Sequence, residues 1–170
     1  MADEPWLDRD QLAAWLTLSA VLEALPASID RQLKDDAGIN LFEYTVLAML
    51  SEQDDHTSSM RELADLAFGS LSRLSHAATR LEKRGWVTRS IGTGGRRHNV
   101  VSLTTEGLRA IESAAPAHAA HVRELLVDPL TADELAAFAA VGEKLVAAAD
   151  PAMHAHLGRM IPEVIARNQA

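Results

Sequence analysis

The sequence contains no cysteine among its 170 residues. A chain without cysteine forms no disulfide, thiolate zinc site, iron–sulfur cluster or thiol redox switch. Its first six residues are acidic and lack the basic and apolar regions of a secretory signal. No stretch approaches 18 apolar residues without a charge, so we expect no membrane-spanning helix. These absences predict a soluble cytoplasmic protein that does not associate with a membrane.

Signatures of catalysis are missing as well. The sequence has no nucleophile–base spacing and no His-Glu-x-x-His motif. The glycine-rich stretch 92–95 lies between two predicted strands and not before a helix, so it does not predict a nucleotide-binding loop. Hydrophobic residues make up 48% of the chain and charged residues 24%, as in an ordinary folded domain with appended arms. We therefore predict a protein that is not an enzyme and needs no cofactor.

Positive charge is scarce overall but concentrated in one stretch. The chain has 16 basic and 24 acidic residues, a formal net charge of -8. Between Arg73 and Arg97, however, seven basic residues stand against a single acid, Glu82. A compact basic stretch on an acidic body is typical of a binding site for a polyanion.

Two short helices are predicted just before and within the basic stretch. Ser59 and Glu62 have capping-box spacing and open the first helix. Gly69 forms a turn, Ser70 caps the second helix, and Gly85 ends it. The apolar face of the second helix has helical spacing and consists of Leu71, Leu74, Ala78 and Leu81. The arrangement predicts a helix-turn-helix.

A β-hairpin is predicted directly after Gly85. The apolar period there changes from about 3.6 to two, which predicts strands at 86–91 and 99–103. The loop between them is rich in glycine and carries Arg96 and Arg97. We interpret the hairpin as a wing that projects two positive charges.

Long helices flank this unit on both sides. Apolar stripes that start at Leu12, Leu108 and Leu135 repeat at steps of three and four residues. A further helix is predicted over 41–50, and a short one within the tail 152–170. Pro26 should kink or break the first helix. The three stripes exceed what the small helix-turn-helix and hairpin unit can cover, so they pack either against a second copy of the chain or as an intramolecular three-helix bundle.

The predicted helix over 70–84 has a polar outer face that suits duplex DNA. A major groove admits one α-helix, and base edges are read by side chains in its N-terminal half. The predicted base contacts are Ser72, Arg73, Ser75 and His76. The predicted backbone contacts are Ser59, Thr79, Arg80 and Lys83. Arg96 and Arg97 can reach an adjacent minor groove. The alternative is an ordinary solvated face of a surface helix.

These motifs resemble those of the MarR family of winged helix-turn-helix transcriptional regulators. The similar stretches are 59–64, 72–76, 81–87 and 101–107, and the resemblance covers roughly 10–149. The sequence departs from the family at two places. Gly95 replaces the aspartate of an Asp-x-Arg wing motif, whose arginine corresponds to Arg97. Ser75 and His76 replace a frequent Thr-Arg pair, so the base preference of relatives cannot be transferred.

The resemblance implies a mainly α fold with a small β-hairpin wing. Residues 37–104 would form the DNA-binding domain, 8–36 and 105–149 a helical dimerisation region, and 150–170 a C-terminal tail. It further implies a homodimer that reads pseudo-palindromic duplex DNA and represses transcription until a small aromatic or amphipathic effector releases it. Trp15 and His118 are candidates for lining the effector pocket, although a tryptophan on an apolar stripe is more often part of a core.

Two alternative functions stay open at this point. His118 and His121 have a spacing at which imidazoles can share a zinc ion, with Glu124 or Asp128 nearby, so the protein could be a metal-responsive regulator. A winged helix can also serve as a protein-interaction module that never touches DNA.

Overall fold

The computed structural model describes residues 6–91 and 99–168. The predicted wing tip, with Arg96 and Arg97, lies outside the described residues. The elements in chain order are α1 (Arg9–Ala37), α2 (Leu41–Ser51), β1 (Thr57–Ser59), α3 (Met60–Leu66), α4 (Leu71–Lys83), β2 (Val87–Ile91), β3 (Asn99–Leu103), α5 (Thr105–Val122), a π-helical turn (Arg123–Val127), α6 (Ala132–Ala149) and α7 (Pro151–Asn168). The predicted mainly α fold with a small β-hairpin is confirmed.

Helix α1 is one continuous helix of 29 residues. It begins at a capping box formed by Asp8 and Gln11 and ends at Gly38, whose φ of 67° lies in the left-handed region that favours glycine. Of the kink or break predicted at Pro26, the break does not occur. Because Pro26 is exposed, the carbonyl group that its missing N–H leaves unbonded can bond water instead.

The exclusion of a membrane-spanning helix from charge spacing was too strict. By length and composition alone, α1 is long and apolar enough to cross a membrane, with a mean hydropathy of 1.6 over 18 residues. The single charge within its most apolar stretch, Glu23, does not lower that average enough to exclude it. A helix that packs in a protein interface passes the same test, so the finding is weak support for a membrane.

The small sheet has the antiparallel order β1-β3-β2. Strands β2 and β3 confirm the predicted hairpin, with Val87 paired to Leu103 and Ile91 to Asn99. Strand β1 was not predicted, because it is only three residues long. The partner strand defines β1 instead: Thr57 pairs with Ser102, and their hydroxyl groups are 2.9 Å apart.

The hydrophobic core is centred on α2 and the helix-turn-helix. Its fully buried members come from α2, α3, α4 and the sheet: Val46, Leu47, Leu50, Leu63, Leu74, Leu81 and Val101. Helix α5 adds Ile111 to the same cluster. Burying each such side chain contributes roughly 1.5–3 kcal/mol, so this cluster fixes how α4 sits on the body.

The outer helices are far less buried than the core. In α1 only Leu33 is buried, and α6 contains no buried residue. Large apolar side chains are exposed on both helices: Trp15, Leu16, Leu22, Phe138, Val141 and Leu145. Helix α7 confirms the predicted helical tail but is longer than expected, at 18 residues. An intramolecular bundle over the three stripes is not formed by the described residues.

Gly107 provides a test of how α5 joins the winged helix. A Cβ atom at this position would lie 2.1 Å from the backbone oxygen of Trp86. We therefore expect Gly107→Ala to lower the free energy of unfolding by about 1–3 kcal/mol, measured by urea denaturation. Gly158→Ala is the matched control, since a Cβ atom there has no neighbour within 4 Å. Equal stability of the two variants would contradict this packing.

Candidate DNA-binding site

Helix α4 presents one buried and one exposed face. The Ser70 side chain accepts a hydrogen bond from the backbone N–H of Arg73 at 3.2 Å and so caps the helix. Its buried residues are Leu74, Ala77, Ala78 and Leu81. The exposed face carries all four predicted base-contact residues, namely Ser72, Arg73, Ser75 and His76. The helix therefore shows a polar surface along its N-terminal half.

Arg73 differs from its three neighbours on that face. Its guanidinium group stacks over the Phe42 ring, 4.1 Å from the ring centroid. A cation over an aromatic face is attracted by the ring's negative face. Arg73 is therefore held toward α2 in the unbound chain, although it is exposed. Ser72, Ser75 and His76 are the base-reading candidates for which the described part of the chain shows no such stacking contact.

Two of the predicted backbone contacts are already bonded within the protein. The Thr79 hydroxyl group donates to the backbone oxygen of Ser75 at 2.9 Å. The Nε–H of Arg80 donates to the Glu43 carboxylate, which is 6% exposed. Sequence reasoning missed Glu43, because it lies 37 positions before Arg80 and outside the basic stretch.

Ser59 and Lys83 are the other two residues predicted to contact the DNA backbone. The Ser59 Oγ atom caps α3 by accepting from the N–H of Glu62 at 3.2 Å, which leaves its own hydrogen free to donate. Lys83 is exposed, and among residues 6–91 and 99–168 it takes part in no ion pair. Arg61, an exposed cation in the first turn of α3, lies outside the basic stretch and was not predicted.

The remaining described basic residues of the stretch bind groups within the protein. Arg84 donates to the backbone oxygen of Gly38 at 2.6 Å. Arg89 binds the carboxylate of Glu82, with Nε 3.0 Å from Oε2, and this hydrogen bond lowers the pKa of Glu82 below its usual value. The net positive charge offered to a ligand is therefore smaller than a count along the sequence indicates.

A second polar cluster lies where α1, α2 and α5 meet. The Tyr44 and His118 rings are 4.2 Å apart between centroids, and the Ser28 hydroxyl group lies 3.1 Å from Nε2 of His121. Trp15 lies 13 residues before Ser28, about 20 Å away along the helix. The two predicted effector-pocket residues, Trp15 and His118, are therefore apart within one chain.

The electrostatics of this cluster favour a neutral His118. Burial lowers the pKa of His118, and the neighbouring His121 lowers it further. The Nδ1 atom of His118 is buried and has no hydrogen-bond partner. Within the described part of the chain, no three His, Asp or Glu residues form a group that could hold a metal ion. The zinc alternative on His118 and His121 thus gains no support.

Comparison of the sequence with known proteins points in one direction. The model of the MarR family matches residues 39–98. The Escherichia coli HTH-type transcriptional regulator PapX is 33% identical over 110 residues, which cover 65% of this chain and 66% of PapX, about two thirds of its length. The E. coli regulator PrsX is 31% identical over 113 residues, which cover 66% of this chain and 68% of PrsX.

Solved structures extend the similarity beyond the matched domain. The MarR family regulator Sco3205 from Streptomyces coelicolor, solved in complex with DNA, is 33% identical with a TM-score of 0.82, covering 86% of this chain and 95% of Sco3205. AbsC from the same organism is 31% identical with a TM-score of 0.76, covering 90% of this chain and 98% of AbsC. The helices outside the winged helix therefore belong to the shared architecture.

The lowered pKa of His118 predicts a pH-dependent stability. The folded state disfavours the charged imidazole. The stability that neutral His118 contributes is therefore fully present above the unfolded pKa of about 6.5, and it is lost as the pH falls through the folded pKa. We expect His118→Gln to flatten the pH dependence of the unfolding free energy below pH 6.5, measured by urea denaturation. His154→Gln, at an exposed position of α7, is the control. An unchanged slope in the His118 variant would contradict the assignment.

Proposed function

The chain belongs to the MarR family of transcriptional regulators, and we propose that it is a homodimeric repressor that leaves its DNA operator when a small molecule binds. The winged-helix fold and the transcriptional regulators among its relatives, one of them solved in complex with DNA, support a DNA-binding transcriptional regulator. Repression, dimerisation, effector release and the individual contact residues are the proposed steps beyond that. A DNA-binding regulator acts where the DNA is, so we also propose a cytoplasmic location.

The exposed polar face of α4 carries the proposal. Ser72, Ser75 and His76 project from the first turns of a helix whose opposite face is fully packed, so their positions are fixed before DNA arrives. Short hydroxyl groups and an imidazole can donate to and accept from base edges in a major groove. We assign base contacts to these three residues, and backbone contacts to Ser59 and Lys83. Arg96 and Arg97 remain the proposed minor-groove contacts of the wing.

A homodimer accounts for the exposed apolar surface of the outer helices. Phe138, Val141 and Leu145 on α6 are each about half exposed, at 49%, 54% and 47%. Contiguous apolar surface of this kind marks an interaction site in soluble proteins. We propose that residues 8–36 and 105–149 form the dimer interface, while 37–104 form the DNA-binding domain and 150–170 the tail. The two copies of α4, which we call the recognition helices, would then face half-sites about 10 bp apart, or a multiple of that.

Release of DNA by an effector requires a ligand site that contacts both the proposed dimerisation region and the DNA-binding domain. The Tyr44–His118 cluster lies where α1 and α5, the proposed dimerisation helices, meet α2 of the DNA-binding domain. It combines aromatic surface with an unbonded buried nitrogen, so a small aromatic acid could both stack and accept or donate a hydrogen bond there. Such a ligand releases DNA only if it binds the DNA-incompetent arrangement more tightly. Because Trp15 lies far from this cluster within one chain, it could line the site only as a residue of the other copy.

Selection of bound sequences from random duplexes tests the proposal. We expect a pseudo-palindromic sequence whose binding weakens steeply with salt, because phosphate contacts release counterions. Lys83→Ala should reduce the slope of log K against log salt by about 0.9 for each recognition helix, because one phosphate there is no longer neutralised. Lys144→Ala, an exposed position on α6, is the charge-matched control and should leave the slope unchanged.

The competing functions give different results in the same measurement. A chain that enriches no sequence and binds duplexes without salt dependence would be a protein-interaction module, and the proposal would be wrong. A chelator that changes the affinity for the selected site would instead support metal response. Screening small aromatic acids for release of the selected duplex then tests the effector step.

The proposed interface can be broken at one position. Phe138→Glu places a charge within the apolar surface of α6, and two-fold symmetry places it there twice. Losing about 1.5 kcal/mol or more per copy should raise the dimer dissociation constant at least about 100-fold. Sedimentation velocity should then show the 18.4-kDa monomer where the unmodified chain shows a dimer. Ala140→Glu, exposed on the opposite side of α6, is the control, and two identical profiles would argue against this interface.

A further inference from the structure

Three arginines of α4 and its C-cap contact the corner between α1 and α2. We define this α1–α2 corner as residues 38–43. Arg73 stacks on Phe42, Arg80 binds Glu43, and Arg84 binds the backbone oxygen of Gly38. The three side chains lie at the start, near the end and at the C-cap of α4. The whole length of the recognition helix is therefore connected to one corner of the body.

The pair of Arg80 and Glu43 is the most buried of these contacts. Glu43 is 6% exposed, and both of its carboxylate oxygens are used. Oε2 accepts the backbone N–H of Asn40 at 3.0 Å, while Oε1 accepts Nε–H of Arg80. A buried carboxylate that loses its counter-charge is strongly penalised. The Nε–H of Arg80 is therefore already bonded to Glu43 before any DNA phosphate approaches, while the Arg80 side chain stays 52% exposed.

Arg84 adds a contact to the end of α1. Gly38 is the C-cap of α1, and the carbonyl groups at a helix C-terminus carry partial negative charge. The Arg84 guanidinium group lies against this end and also over the Trp86 ring, 4.9 Å from its centroid. The C-cap residue of the recognition helix thus contacts the C-cap residue of α1, the proposed dimerisation helix.

The α1–α2 corner is in turn bonded to the body of α1. The Asp30 carboxylate accepts the backbone N–H of Leu41 at 2.9 Å and binds Lys34 at 2.6 Å. These bonds, with that of Lys34 first, lower the pKa of Asp30, so the carboxylate stays charged at neutral pH. A displacement of α1 therefore moves the corner, and the corner moves α4.

From these contacts we infer that the main role of Arg80, supported by Arg84 and Arg73, is to position the recognition helix against the α1–α2 corner and not to supply charge to DNA phosphates. The inference rests on the proposed function, in which α4 reads base edges. It reassigns Arg80 from the backbone contacts predicted from sequence. It also identifies the path through which a rearrangement of the dimerisation helices would change the placement of α4 in the groove.

Glu43→Gln separates the two roles of Arg80, because they predict opposite changes in the affinity for the selected duplex. If Arg80 mainly contacts phosphate, removing the competing carboxylate frees a cation and raises the affinity for DNA. If Arg80 positions α4, the same variant misplaces the helix and lowers the ratio of specific to non-specific affinity by about tenfold, the worth of one good base contact. The ratio is measured on the selected duplex and a scrambled duplex of equal length.

Asp54→Asn is the matched control for the removed negative charge. Asp54 is an exposed acid in the loop after α2, so its variant should leave the ratio unchanged. Because Arg80 and Glu43 act as one unit, we expect the Arg80→Gln/Glu43→Gln double variant to lose no more than the worse single variant. Additive losses, or a Glu43→Gln ratio equal to or above that of the unmodified chain, would overturn the inference.

The measurement also distinguishes unfolding from mispositioning. A partly unfolded variant loses specific and non-specific affinity together, so the ratio itself reports the position of α4. Arg84→Gln, at an exposed position, provides a second variant with less effect on the core and should lower the ratio in the same direction. An unmodified chain that selects no duplex would refute the proposed function itself, whereas selection with an unchanged ratio in both variants refutes only the positioning role.

Discussion

The packing of the inner face of α4 is the constraint on which the rest of the structure depends. Leu74, Ala77, Ala78 and Leu81 are all fully buried. The two small residues let α4 lie close to its neighbours, while the two leucines fill the space between α2 and the sheet. A rotation of α4 about its axis would expose this face to water. The outer face, with Ser72, Ser75 and His76, therefore has one orientation available to it.

The packing of this face does not by itself set where α4 lies relative to the α1–α2 corner. Charged side chains contribute to that position. Arg73, Arg80 and Arg84 each bind an acceptor in the α1–α2 corner, and these acceptors differ: an aromatic ring, a buried carboxylate and a helix-terminal carbonyl. If one of these interactions breaks, the other two stay in place. The apolar face thus sets the rotation of α4, and the arginines set its position against the α1–α2 corner.

Much of this was accessible from the sequence, because the signals are local. The capping box at Ser59, the left-handed Gly85 and the change of period at the hairpin each depend on residues a few positions apart. Strand β1 was missed because three residues carry no periodic signal, and its existence depends on β3 more than 40 positions later. The continuity of α1 through Pro26 was missed because exposure, which the sequence does not give, decides what a proline costs.

The charge of the DNA-binding face shows the same difference between local and long-range information. Counting along 73–97 finds seven bases and one acid, yet the fold brings Glu43 to Arg80 and pairs Glu82 with Arg89. Since a paired arginine releases fewer counterions when it meets a phosphate, the salt dependence of DNA binding should reflect the unpaired cations, such as Lys83, and not the full count. On the proposed assignment, the acidic remainder of the chain repels DNA phosphates outside α4 and the proposed wing contacts. Orientation on the duplex therefore depends on a few free charges and on the face that the buried leucines hold outward.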